Sequence, residues 1–212
     1  HFAIRRQRQM CIRDRLIDWA RDERAAEIKD NPARHLRVKG TGDARAPFFT
    51  DQDEQKLLYE LSQMSNPNHL RLTKLALITG FRRSELLSLN WSNIDLHKEK
   101  IYIRRKECAA RGSSSSMKMV PLSHKAKDLL RSLENKKGKV INLTEGSARN
   151  GFERARKKAG LLNLRFHDLR HIAISRMWSY GMNALEISAC SGHRDIKMLM
   201  RYSHYQLAYK IN

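Results

Sequence analysis

One stretch of the 212-residue chain has the pattern of β-structure, and segments with helical periodicity lie on both sides of it. Between Ile101 and Arg104 apolar and polar residues alternate, which is the period of a half-buried strand. Residues 117–122 predict the return strand, and Gly112 with the serines after it predicts the connecting loop. The pattern therefore predicts a mainly α fold with a small antiparallel β-sheet.

Residues that start and stop helices bound the helical segments. Thr50 and Asp53 form a capping-box pattern ahead of a leucine stripe, and Gly80 is placed to end the following helix. Asn66 and Pro67 separate these two helices. Apolar stripes predict helices at residues 16–30, 57–61, 69–79, 82–89, 126–133, 152–159 and 167–180, with short helices flanking 191–193.

The charge of the chain predicts a polyanionic partner. The 42 lysines and arginines outnumber the 22 acidic residues, which gives a formal net charge of +20. Nucleic acid is the leading candidate, because counterion release would drive the association. A ribosomal or simply basic protein is the alternative. Hydrophobic residues make up 41% of the chain, which excludes wholesale disorder.

Composition also excludes several other classes of protein. The three cysteines, Cys11, Cys108 and Cys190, are too far apart for a disulfide framework or a zinc site. No apolar run approaches the roughly 20 residues of a membrane-spanning helix, and no secretory signal is visible. We therefore expect a cytoplasmic protein without membrane contact, cofactor or metal.

Two pairs of residues on predicted helices are candidate site residues, and the second pair suits a phosphate ligand. Arg82 stands at a helix start with Glu85 three residues later, which is close enough to orient its guanidinium. His167 and Arg170 fall on one helix face and combine a proton-transfer group with a five-donor fork. A surface ion pair and a solvated arginine are the ordinary alternatives for these positions.

The C-terminal part adds a histidine and a tyrosine. Gly192 permits a tight turn that can bring His193 to a site, and Tyr202 follows nine residues later. A tyrosine phenol has an ordinary pKa of about 10 and is a poor nucleophile until nearby cations favour its phenolate. A buried aromatic anchor is the alternative for Tyr202, as we expect for Tyr205 and Tyr209.

These segments together resemble the tyrosine recombinase (phage integrase) family. The resemblance rests on Thr79–Leu86, His167–His171, Gly192–His193 and Tyr202, in that order and spacing, and covers about residues 47–205. The segments Val120–Leu122 and Ala159–Leu161 also resemble landmarks of that family.

The resemblance implies a domain organisation. Residues 47–212 would form a catalytic domain with the tyrosine recombinase fold. Residues 1–46 would comprise an artefact-like stretch up to residue 15, the last helix of a core-binding domain and an interdomain linker. The earlier helices of that domain are missing from the sequence, so we expect an N-terminally truncated member.

The resemblance also implies an activity on double-stranded DNA. Tyr202 would attack a scissile phosphate, form a 3′-phosphotyrosyl bond and release a 5′-hydroxyl, and a second DNA end would restore the backbone without metal or ATP. Arg82 and Arg170 would clamp the phosphate oxygens and His193 would donate to them. His167 would assist proton transfer near the tyrosine. The family further implies a homotetramer on DNA, associated with the bacterial nucleoid.

The general acid for the departing 5′-oxygen has several candidates. The family places a lysine in the β-hairpin. Counting forward from the first strand favours Lys106, while counting back from Val120 reaches Ser113. Lys118 and then Arg111 are the next candidates, and solvated loop charges are the alternative for all three.

Two other functions remain open from the sequence. A type IB topoisomerase-like enzyme would relax DNA with similar tyrosine chemistry. A non-catalytic DNA-binding remnant of an integrase would fit the truncation and the displaced lysine.

Overall fold

A computed structural model describes residues 49–105, 116–133, 136–193, 196–200 and 202. The helices are α1 (Asp51–Ser62), α2 (Asn68–Thr79), α3 (Arg83–Leu87), α4 (His124–Arg131), α5 (Glu145–Lys158), α6 (Asp168–Ser179), α7 (Ala184–Ser191) and α8 (Lys197–Met200). A 3₁₀ turn (Trp91–Asn93) leads into strands β1 (Ile94–Asp95), β2 (Lys100–Arg105) and β3 (Ser116–Pro121). The predicted mainly α fold with a small antiparallel sheet is confirmed.

The predicted boundaries of α1 and α2 are confirmed by their caps. The backbone N–H of Asp53 donates to the Thr50 hydroxyl at 3.1 Å, and the Thr50 N–H donates to the Asp53 carboxylate at 3.0 Å. This reciprocal pair satisfies N–H groups that a helix start leaves without partners. Gly80 ends α2 with φ +66°, a left-handed conformation that favours glycine.

The sheet has the order β1-β2-β3 with antiparallel pairing throughout. Ile101 pairs with Val120 and Ile103 with Lys118, so these four residues share one face, and the three apolar ones are buried. The two-residue strand β1 was not predicted, because it is too short to show a period of two.

Two groups of buried residues hold the helices in place. The larger core is built mainly from leucines of α1 to α4, Ala148, Phe152 and Ala155 of α5, and the inner face of the sheet. A smaller cluster joins α6, α7 and α8 and consists of Ile174, Trp178, Ile187, Leu199 and Tyr202. The smaller cluster fixes the position of the candidate nucleophile relative to α6.

Some predictions fall outside the described residues. These are the helix at 16–30, the division of residues 1–46, the side chain of Lys106 and the loop predicted at 108–116 as far as residue 115, whereas Ser116 begins β3. In the part of the chain that the structure describes, every helix is too short or too polar to traverse a lipid bilayer.

Candidate active site

Arg82 precedes α3 as its N-cap residue and is held there by Glu85. The Arg82 backbone N–H donates to one Glu85 carboxylate oxygen at 2.8 Å, and Nη1 donates to the other at 2.8 Å. Glu85 is buried, whereas the Arg82 side chain is 47% exposed. The carboxylate thus orients the guanidinium, as the spacing predicted, and leaves part of it open to a ligand from solvent.

Arg170 lies on α6 and is only 3% exposed. Its Nη1 donates to the carbonyl of Gly80 at 2.6 Å, and its Nη2 lies 3.2 Å from both ring nitrogens of His193. A single guanidinium therefore joins the end of α2 to the segment after α7. Arg170 therefore contacts the same short segment, residues 80–82, that carries Arg82.

His193 follows the turn at Gly192 and is fixed by two serines of α7. Its Nδ1 lies 2.7 Å from the Ser191 hydroxyl, which donates its own proton to the Ile187 carbonyl at 2.6 Å. Since a carbonyl can only accept, the Ser191 oxygen is left to accept from Nδ1–H of His193. The Ser188 hydroxyl donates to the His193 carbonyl at 2.7 Å. These bonds define both the tautomer and the orientation of the ring.

His167 is the N-cap residue of α6 and lies close to both arginines. Burial lowers the pKa of its imidazole, and the charges of Arg170 and Arg82 lower that pKa further, against an opposing effect of Asp168. These effects favour the neutral form of the imidazole. Its ring packs edge-on against that of His171, with centroids 5.2 Å apart and planes at 89°.

Tyr202 meets α6 through His171, one turn of helix after His167. The phenol oxygen is hydrogen-bonded to Nδ1 of His171, and the two rings are stacked with centroids 5.8 Å apart. Tyr202 is 7% exposed, because its ring packs in the cluster with Ile174, Trp178 and Leu199. The tyrosine is thus both the buried anchor and a phenol directed at the histidines of α6.

Contacts and charges connect the five predicted site residues of the described chain. The charges of Arg82 and Arg170 lower the pKa of His167, and Arg170 also contacts His193. The ring of His167 packs against that of His171, which is hydrogen-bonded to Tyr202. Lys106 lies outside the described residues. Lys118, the second candidate, is half-buried on the inner face of the hairpin through its pairing with Ile103.

Sequence reasoning missed two features of this site. It assigned proton transfer near the tyrosine to His167 and gave His171 only a supporting role, and it did not foresee that the His171 ring contacts the phenol oxygen. It also missed Ser191, although the spacing of two residues before His193 was visible. Among the described residues, no group of three His, Cys, Asp or Glu side chains could hold a metal ion.

The sequence model of the phage integrase family matches residues 47–208. The chain belongs to the phage integrase family. The matched range contains every residue of the site described above.

Individual integrase-family proteins are similar to the chain in sequence and in fold. The shufflon-specific DNA recombinase of Escherichia coli is 32% identical over 212 residues, covering 96% of this chain and 52% of that protein. The catalytic domain of bacteriophage HP1 integrase is 29% identical with a TM-score of 0.60, covering 77% of this chain and 90% of that one. A structure of a lambda integrase dimer bound to a COC′ core site is 20% identical with a TM-score of 0.63, covering 92% of this chain and 57% of that one. The chain spans about half the length of the first of these relatives.

Proposed function

We propose that this phage integrase family member is a site-specific DNA recombinase that breaks and rejoins DNA through a 3′-phosphotyrosyl bond at Tyr202. The observation that carries the proposal is the connected group of two guanidiniums, three imidazoles and one phenol. Phosphoryl transfer needs mainly positioning and stabilisation of the phosphate oxygens, which such a group supplies. Similarity to a recombinase over 96% of this chain supports the same reaction.

The two arginines suit different parts of the phosphate. Arg82 has an exposed guanidinium that is already oriented by Glu85, so it can bind an equatorial oxygen without reorganisation. Arg170 uses one N–H for Gly80 and directs Nη2 toward His193, so its position is fixed before DNA arrives. Together they would neutralise charge that develops on the phosphorane-like transition state.

The departing 5′-oxygen needs a proton, which we propose comes from Lys106. Lys118 is the second candidate, because the register of β3 directs it to the same face as the buried Ile103. A general acid contributes about 10²–10⁴ in rate, so removing the correct lysine gives a loss of that order. A substrate with a 5′-bridging sulfur leaves as a thiolate without protonation. Lys106→Ala and Lys118→Ala are therefore compared on this substrate. It should restore cleavage to the variant that has lost the general acid, which we expect to be Lys106→Ala, and should not change the rate of Lys118→Ala.

We propose that the partner is double-stranded DNA, bound in the bacterial nucleoid, and that a tetramer assembles on it. The net charge of +20 supports a polyanionic partner. A polar cleft of about 330 Å³ presents Arg71, Lys137 and Lys139, three cations that suit backbone phosphates. The lambda integrase structure, a dimer bound to a core site, supports both DNA binding and assembly.

Covalent trapping tests the proposed function. The full chain is incubated with a pool of nicked duplexes that carry a randomised core, so that no target sequence need be known. Cleavage next to the nick releases a short strand and prevents rejoining. We expect a DNA adduct that survives denaturing electrophoresis with the wild type and is absent with Tyr202→Phe. No adduct with the wild type would contradict the proposal and support a DNA-binding remnant.

A second assay separates recombination from relaxation. The duplexes recovered from the adduct are cloned as two copies in a supercoiled plasmid. We expect exchange or inversion of the intervening DNA, as in the proposed recombinase. Relaxation of any supercoiled plasmid without exchange would favour the topoisomerase-like alternative.

A further inference from the structure

His171 places a ring nitrogen against the candidate nucleophile. Its Nδ1 is hydrogen-bonded to the phenol oxygen of Tyr202, and the rings are stacked at an interplanar angle of 30°. The two residues are separated by 31 positions, so the contact arises from packing of the C-terminal cluster against α6. A phenol oxygen that must lose its proton to react is thus already bound to a possible acceptor.

We propose that His171 is the general base that takes the proton of Tyr202 when the tyrosine attacks DNA. The inference rests on the proposed function, since it concerns the same reaction. It differs from the assignment made from sequence, in which His167 handles this proton.

The geometry of His171 suits that role. In this role the Tyr202 O–H donates to an unprotonated Nδ1 of His171, and the ring hydrogen is on Nε2. A base needs hydrogen-bond contact with the atom it deprotonates, and this contact exists before DNA binds. The ring of His167 packs edge-on against that of His171, with the two centroids 5.2 Å apart. Burial and the charges of Arg170 and Arg82 lower the pKa of His167, which disfavours a like charge beside an imidazolium at position 171.

The proton and electron balance closes without any added reactant. The Tyr202 O–H proton passes to Nδ1 while the phenol oxygen bonds to phosphorus and the bond from phosphorus to the 5′-oxygen breaks. The 5′-oxygen takes its own proton from the general acid. On rejoining, an incoming 5′-hydroxyl gives its proton back to the conjugate base of the general acid and displaces the tyrosine, and the imidazolium of His171 returns the other proton to the phenolate.

Two substitutions separate a base from a residue that only holds the phenol. The side chain of His171→Asn places an amide near the position of Nδ1, so it can accept the phenol hydrogen bond but cannot take up a proton. His171→Leu removes both abilities. We expect the single-turnover adduct rate to fall about 10²–10⁴ in both variants. His97→Asn, a change at an exposed histidine, is the matched control and should react like the wild type.

A tyrosine with a lower phenol pKa distinguishes lost basicity from a damaged fold. With 3-fluorotyrosine at position 202, the phenol ionises more readily and depends less on a base. We expect the deficit of His171→Asn to shrink in this protein, and to shrink again as the pH is raised. A His171→Asn variant that cleaves as fast as the wild type would overturn the inference, as would a deficit unchanged by fluorination and pH.

Nuclear magnetic resonance of the DNA-free chain tests the contact without any reaction. In the ¹⁵N-histidine-labelled protein, we expect the Nδ1 resonance of His171 to shift in Tyr202→Phe while that of His97 does not. An unmoved Nδ1 resonance would overturn the inference on its own. Adduct formation by the wild type together with a normal rate in His171→Asn would sink only this inference. No adduct with the wild type would sink the proposed function, and this inference with it.

Discussion

The guanidinium of Arg170 donates to the carbonyl of Gly80 at 2.6 Å, across 90 positions of sequence. Gly80 is the left-handed residue that ends α2, and Arg82 follows it by two residues. The hydrogen bond therefore fixes α6 against the turn that carries the first arginine. Through Nη2, the same guanidinium reaches His193, so one side chain sets the relative positions of three parts of the site.

This double contact predicts that Arg170→Lys will disable the site although the charge is kept. An ammonium lacks the planar fork and cannot hold both Gly80 and His193. We expect the adduct rate in the trapping assay to fall about 10²–10³, the order of loss for one preorganised donor. Retention of DNA in a filter-binding assay should change little. Arg149→Lys, at an exposed position of α5, is the control. An adduct rate for Arg170→Lys equal to that of the control would show that the double contact of Arg170 with Gly80 and His193 is not needed for cleavage.

The hydrogen bond between Ser191 and His193 predicts a catalytic effect from a small buried substitution. Ser191→Ala removes the acceptor that fixes Nδ1–H and leaves the ring free to turn or change tautomer. We expect the adduct rate to fall about tenfold or more, with a loss of about 0.5–1.5 kcal/mol in unfolding free energy from the hydrogen bond removed. Ser191→Thr keeps the hydroxyl and tests whether its return restores the rate. If Ser191→Ala cleaves normally, Ser191 does not position His193.

The packing of α2 on α5 predicts opposite outcomes for two glycines of one helix. A Cβ at Gly151 would lie 2.3 Å from two ring atoms of buried His69, whereas a Cβ at Gly146 would meet nothing within 4 Å. We expect Gly151→Ala to lower the unfolding free energy by about 1–3 kcal/mol through overpacking. Gly146→Ala should be neutral or slightly stabilising, because alanine has the better helix propensity.

Urea unfolding followed by tryptophan fluorescence measures both alanine variants. Adding His69→Ala to Gly151→Ala should recover part of the loss, since the clashing ring is removed. Equal stabilities for the two single variants would show that α2 and α5 are not in this close contact.

Two histidines with lowered pKa predict a loss of stability in acid. Burial lowers the pKa of both His69 and His167, and nearby arginines, Arg154 in the case of His69, lower it further. A folded pKa below the unfolded value of about 6.5 means that the unfolded chain binds more protons as the pH falls. The stabilising contribution is thus complete above that value and is lost as the pH falls through the folded pKa.

We therefore expect the wild type to lose unfolding free energy between about pH 7.5 and about pH 5.5 in urea titrations. His69→Gln does not titrate and should show a smaller loss over the same interval. A loss identical to that of the wild type would mean that His69 is not kept neutral by the fold.

Signals that act over a few residues made much of this fold predictable. The capping box at Thr50, the stop at Gly80 and the alternation from Ile101 each depend on neighbours within one turn or one strand, and each is confirmed. The two-residue strand β1 has no such signal, since only its pairing with β2 defines it. Interactions between residues close in sequence therefore specified α1, α2 and β2, whereas pairing with β2 specified β1.

In the candidate site, the identities of the residues could be predicted from the sequence, but the contacts among their side chains could not. The order and spacing of Arg82, His167, Arg170, His193 and Tyr202 selected the residues through their resemblance to the tyrosine recombinase family. Contacts among side chains depend on how separate elements pack, so spacing alone could not show that the phenol meets the histidine one turn after the predicted one. The contribution of the Ser191 hydroxyl likewise depends on the turn that follows α7, which no periodicity encodes.

The most direct test of the central claim is to identify the residue joined to DNA. The trapped adduct is digested with protease and nuclease, and the peptide that keeps a nucleotide is sequenced by mass spectrometry. We predict a single modified residue, Tyr202, and no adduct with Tyr202→Phe. A nucleotide on Tyr205 or Tyr209, or trapping that persists in Tyr202→Phe, would contradict the account.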